Sequence, residues 1–185
     1  MIHNLLSQAH YEVCQYLLSL GADPFIRNIH GISAYVLAAE NGHPEISALI
    51  TSSGLSSALL GNDEMKMIQM LRAGADPDSE GANGFTALLH FSGRGNVEIV
   101  QEIVRMGADV NAQEADKWSA LMFASFRGDI QTVIHLMNND ADQTLRNKAG
   151  KSALDLATNE GHSAIVEILK SYRTKNLRTQ PKKRK

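Results

Sequence analysis

Five consecutive residues, Ser92-Gly93-Arg94-Gly95-Asn96, have the glycine content of a phosphate-cradling loop. Such a loop works because small residues let several backbone N–H groups converge on phosphate oxygens, with a lysine and a hydroxyl completing the site. Here the Gly-Lys-Ser/Thr ending is missing and no buried strand leads in, so the segment reads as a turn between helices. A histidine metal site needs ligands that converge at suitable spacing. His10, His43 and His162 instead recur one residue past similar turns, which is a mark of repetition. The single cysteine, Cys14, falls on an apolar position of a helical pattern and reads as a small buried residue. No nucleophile stands with an acid and a base, so no catalysis, cofactor or metal is expected.

Elements must therefore be sought for what they build. The chain has 185 residues, 43% hydrophobic and 21% charged, with 5% aromatic. This is ordinary globular composition, low in aromatics for a β-sandwich or barrel. One cysteine excludes an internal disulfide framework, and with no secretory signal at the start the expected setting is intracellular, cytoplasm or nucleus. No apolar run approaches membrane-span length. Charge is divided unevenly. Residues 170–185 hold eight basic residues and no acidic one, leaving 10 basic against 20 acidic in 1–169. An acidic body repels phosphate backbones, which argues against nucleic acid as its partner.

Three markers share one period. Gly-Ala-Asp occurs at Gly21, Gly74 and Gly107, with a degenerate copy at Asp140-Ala141-Asp142, and the last three copies step by 33. Gly95, Gly128 and Gly161 also step by 33. So do Thr86-Ala87, Ser119-Ala120 and Ser152-Ala153, with an earlier copy at Ser33-Ala34. A hydroxyl before an apolar run is a helix N-cap, and glycine suits the left-handed residue at a helix end. Val97, Val100, Ile103 and Val104 then give a second helix at helical spacing. Two such short helices cannot bury a core alone, so neighbouring units must stack.

This order of cap, two helices and Gly-Ala-Asp resembles the ankyrin-repeat family over about residues 1–173. The resemblance implies an all-α solenoid of stacked helix-turn-helix units with short hairpin loops. It also implies a protein partner held by hairpin tips and by the inner face of the first helices. A host-directed effector is a further role that the family admits. Asn111 resembles an asparagine that family members can have hydroxylated. The family proline is alanine at Ala34, Ala87, Ala120 and Ala153, and the family histidine is Val36, Leu89, Met122 and Asp155. Lys117 replaces the turn glycine present as Gly31, Gly84 and Gly150, which predicts a strained or reshaped turn.

The units divide as a partial one at 1–27, one at 28–54, a short one at 55–78, and full ones at 79–111, 112–144 and 145–173. The basic tail, 174–185, is expected to be disordered. The short unit lacks 13 residues. Its Leu55–Gly61 segment is expected to form a stunted first helix with no hairpin, ending at a turn on Gly61 or Asn62. Ile2, Leu5 and Leu6 lack a preceding cap, so either the chain is a fragment of a longer array or something covers that edge.

By register, the partner-facing candidates are Ile32, Phe85, Trp118 and Lys151 on the fingers, and Arg94, Phe126 and Arg127 at the ends of first helices. Trp and Arg give large contact area with polar capacity. Phe85 and Trp118 can equally pack on each other or on hairpin stems. His90 and Phe91 stand where the family usually has small residues or leucine, and read as filling the core locally. Pro181-Lys182-Lys183-Arg184-Lys185 resembles a monopartite nuclear import signal, which would make an import adaptor a second partner. Consecutive cations on an extended chain can fill successive acidic pockets.

Overall fold

The Gly-Ala-Asp turn is a local device repeated four times. Its first residue takes a left-handed backbone, with φ of +83° at Gly21, +90° at Gly74 and +94° at Gly107. Asp140 holds the same region at +61°. The aspartate then accepts a hydrogen bond from the N–H two residues on, as Asp23 does from Phe25, Asp76 from Asp78, Asp109 from Asn111 and Asp142 from Thr144. This side chain to backbone closure is why aspartate suits the turn.

The computed structural model describes residues 2–179, with side chains for 10–172. Among these residues it contains ten α-helices: α1 (Ile2–Ser19), α2 (Ala34–Glu40), α3 (Pro44–Gly61), α4 (Glu64–Arg72), α5 (Ala87–Arg94), α6 (Val97–Arg105), α7 (Ala120–Arg127), α8 (Ile130–Asn138), α9 (Ala153–Asn159) and α10 (Ser163–Thr179). They form two compact units, divided between Gly81 and Ala82. No described helix is long and apolar enough to cross a membrane. The hydroxyl caps act as their positions predict: Ser33, Thr86, Ser119 and Ser152 each accept from the N–H three residues on. A cap of this kind stabilises a helix by about 1 kcal/mol.

In the second unit the first helices α5, α7 and α9 lie side by side, and each is paired with its own second helix. Leu88, Phe91, Leu121, Leu136, Ile165 and Leu169 are fully buried between them. Met122 is also buried there.

The first unit departs from this plan. With no hairpin to reverse the chain, residues 55–61 do not form a separate stunted helix; they continue the preceding one, and α3 runs unbroken for 18 residues. Gly54, the residue that would begin a Gly-Ala-Asp turn, is helical and buried. A Cβ there would lie 2.7 Å from Met70 Sδ and 3.2 Å from Phe25 Cε2, so glycine is needed for the close approach of α4 and the finger. The inter-helix turn falls on Asn62, with φ of +54°. Ala38, Ile46 and Ile50 form the core here, with Tyr11, Cys14, Leu18, Phe25 and Tyr35 packed on it. Cys14 is half-buried and unpaired.

Opposite Tyr11, Cys14 and Leu18, helix α1 exposes Val13, Tyr16 and Leu17, and Leu20 just beyond it is also exposed. Ile2, Leu5 and Leu6 lie outside the residues whose side chains are described. At the other end, α10 continues to Thr179, so residues 174–179 are helical where an irregular tail is expected. No glycine or proline stands in 174–179 to break the helix.

Candidate functional site

The fingers of the second unit are fixed by a repeated set of bonds. Ala115 N–H donates to the Asn83 carbonyl at 2.7 Å, and 33 residues on Lys148 N–H donates to the Asp116 carbonyl at 2.9 Å. One backbone bond thus ties each finger to the next. The second junction adds an ion pair, Lys148 Nζ to Asp116 Oδ1 at 3.2 Å. Inside the middle finger the Glu114 carboxylate accepts from Asp116 N–H at 2.8 Å and from Trp118 N–H at 2.9 Å. Asn147 takes the same place one unit later and accepts from Lys151 N–H at 3.0 Å. Lys117 stands in the left-handed region at φ +61°, beside +76° at Gly84 and +73° at Gly150. The turn keeps the shape of its glycine copies and carries the strain of a side chain there.

This framework sets Trp118 against the first helix that follows it. Its ring lies 5.0 Å from Phe123 and 5.7 Å from Phe126, centroid to centroid. Phe85 meets Phe123 edge-on at 5.6 Å. The four rings form one continuous cluster, with Phe123 as its hinge point. Phe85 and Trp118 therefore do not stack directly; each packs on Phe123. Phe126 is 46% exposed, and Phe85 and Trp118 are half-buried. The ring of Phe123 also reaches α5, where a Cβ on Gly93 would sit 3.6 Å from its Cδ1. Sequence reading missed Phe123. The available signal was its helical spacing of three from Phe126.

The basic candidates take different places. Arg127 is exposed, yet its Nη1 donates to the Gly93 carbonyl at 3.3 Å, and its guanidinium lies across Gly95. Arg94 is exposed at the end of α5. Lys151 occupies the register of Trp118 one unit later and is exposed. Ile32 belongs to the first unit, half-buried, with its backbone closed onto Asn28. The aromatic cluster is built wholly from the second unit. Asn111 is bound on both sides of its amide: Oδ1 accepts from Asp142 N–H at 2.7 Å, and Nδ2 donates to the Asp140 carbonyl at 3.3 Å.

Electrostatics beside the cluster are local. The Asp155 carboxyl is held below its ordinary value by hydrogen bonds from the Ser152 backbone and hydroxyl, with Arg146 and Lys151 adding attraction. His135 is lowered by burial and by the nearby Arg105 charge. The segment 92–96 forms no anion cradle. Gly95 N–H and Asn96 N–H both donate to the Phe91 carbonyl, and the Asn96 side chain caps α6. Among the described residues no group of three metal-ligating side chains comes together.

The family model described as ankyrin repeats (3 copies) matches residues 55–147 and 94–180. No individual curated protein matches the chain.

Proposed function

The chain belongs to the ankyrin-repeat family, and on that premise we propose that it is a binding scaffold whose partner protein docks on the aromatic face of the second unit. Ankyrin repeats are generally protein–protein interaction modules. The observation that carries the assignment is the continuous cluster of Phe85, Phe123, Trp118 and Phe126, open to solvent at Phe126. Rings held by neighbouring rings lose little freedom on binding, and aromatic anchors dominate interface energies. Lys151 would lie at the margin of such contact and Arg94 and Arg127 at its polar rim. The mechanism is static complementarity without turnover. Trp118→Ala with Phe126→Ala should weaken partner binding by about 2 kcal/mol or more while the fold persists. A large fall in melting temperature with no specific binding loss would show that the rings serve the core alone.

A second reading rests on the eight basic residues of 170–185. In it the chain is a nuclear regulatory adaptor, carried by an import adaptor that reads Pro181-Lys182-Lys183-Arg184-Lys185. These five residues lie outside the described ones. A reporter fused to 170–185 should collect in nuclei, and Lys182→Ala with Lys183→Ala should abolish this. An evenly distributed reporter would remove the support for a nuclear role.

A further inference from the structure

Charge in the second unit is segregated by face. Its acidic excess sits on second helices and turns, as Glu98, Glu102, Asp109, Asp129, Asp140 and Glu167. On the finger and first-helix side, Glu160 at the end of α9 is exposed, and Glu114, Asp116 and Asp155 are occupied. Glu114 accepts two backbone N–H groups, Asp116 pairs with Lys148 at 3.2 Å, and Asp155 pairs with Arg146 at 3.2 Å. Lys117, beside Trp118, is exposed, and no carboxylate pairs with it among the described residues. Lys151 is exposed one unit further on. Arg127 follows Phe126 at the far end of α7, seven residues along the helix from Ala120. A cation thus adjoins Trp118 and another adjoins Phe126, the pair of rings in edge contact, on a body that is otherwise acidic.

Resting on the docking face proposed above, we infer that this strip selects an acidic amphipathic peptide segment: an apolar centre to meet Trp118 and Phe126, with carboxylates on either side to meet Lys117 and Arg127. Apolar contact supplies the affinity and the flanking charges choose among partners, because exposed pairs contribute little each but disfavour the wrong sign. A basic or phosphate-coated ligand finds no such match: the first meets like charge here, and the second finds no apolar anchor.

Trp118 is the one tryptophan of the chain, so its emission reports this face directly. Three synthetic peptides sharing one Leu- and Phe-containing centre, flanked by Glu, Gln or Lys, would be titrated against the full chain at low and high salt. The Glu peptide should blue-shift the emission and bind about tenfold tighter than the Gln peptide at low salt, with the gap closing at high salt. Lys117→Gln should shrink that preference, weakening the Glu peptide several-fold more than the Gln peptide. Equal affinity of the Glu and Gln peptides overturns the charge selection while leaving the aromatic docking face intact. Tightest binding by the Lys peptide, or no emission change with any peptide, also overturns it. Loss of the docking face itself would show separately, as a natural partner that still binds the Trp118→Ala, Phe126→Ala chain at full strength.

Discussion

The guanidinium of Arg127 lies across Gly95 of the preceding unit, in the space a Cβ there would fill. The same relationship recurs one unit later, where the His162 ring covers Gly128 and a Cβ would lie 2.6 Å from its Cε1. His162 Nε2 is also 3.0 Å from the Phe126 carbonyl. These turn glycines therefore do two jobs: they supply a left-handed end to the first helix, and they leave room for the next unit's side chain. Repeat stacking at this edge is side chain over bare backbone.

That double demand can be separated. Gly95→Ala should destabilise by about 2 kcal/mol, from the left-handed backbone at φ +74° and from the overlap with Arg127. In an Arg127→Ala background the overlap disappears, and the same substitution should cost only about 1 kcal/mol. Urea unfolding of the four chains closes the cycle. Additive losses would mean that the guanidinium moves aside freely.

Lys117→Gly should raise stability by about 0.5–1 kcal/mol, since relief of left-handed strain outweighs the extra freedom of glycine in the unfolded chain. The same change should weaken the Glu-flanked peptide, because it removes the unpaired cation beside Trp118. Thermal unfolding and the emission titration read these opposite effects on one variant. Lower stability would contradict the strain at φ +61°.

Asp155 links the last full unit to pH. Its folded-state pKa lies below the ordinary 3.8, mainly because Ser152 donates to it through backbone and hydroxyl. Its contribution to stability is therefore fully present above pH 3.8 and is lost as pH falls through the lower folded value. Ser152→Ala should raise the Asp155 pKa, seen by NMR titration, and cost about 1 kcal/mol at neutral pH through loss of the cap. An unmoved titration would exclude the hydroxyl as a cause.

Hydrogen exchange should show residues 1–62 opening more easily than 79–173. Among the described residues, nine exposed large hydrophobics fall in the first unit, from Val13 to Met65, against three in the second. Ile29 on its finger is 95% exposed. Apolar surface left in water does not contribute to folding, and local opening follows the local density of buried contacts. Equal protection across both segments would reject the difference.

The sequence by itself determined every element whose chemistry closes within a few residues. The Asp of each Gly-Ala-Asp bonds two residues on, and each hydroxyl cap bonds three residues on. A period of 33 then fixed the helix pairs and the all-α family, because the same short-range bonds recur in the same order. Together with the family resemblance, the register also made Phe85, Trp118, Phe126 and Arg127 candidates for a partner-facing surface. Tertiary structure decided the rest. Phe123 became the centre of the ring cluster only when α5, α7 and the Trp118 finger were brought together, and Arg127 met the Gly93 carbonyl across 34 residues of chain. The deletion after Gly54 could be counted but not folded by pattern. Whether the remaining residues start a new helix or prolong the old one depends on α4 and Phe25 packing against a backbone with no Cβ, a contact no periodicity encodes.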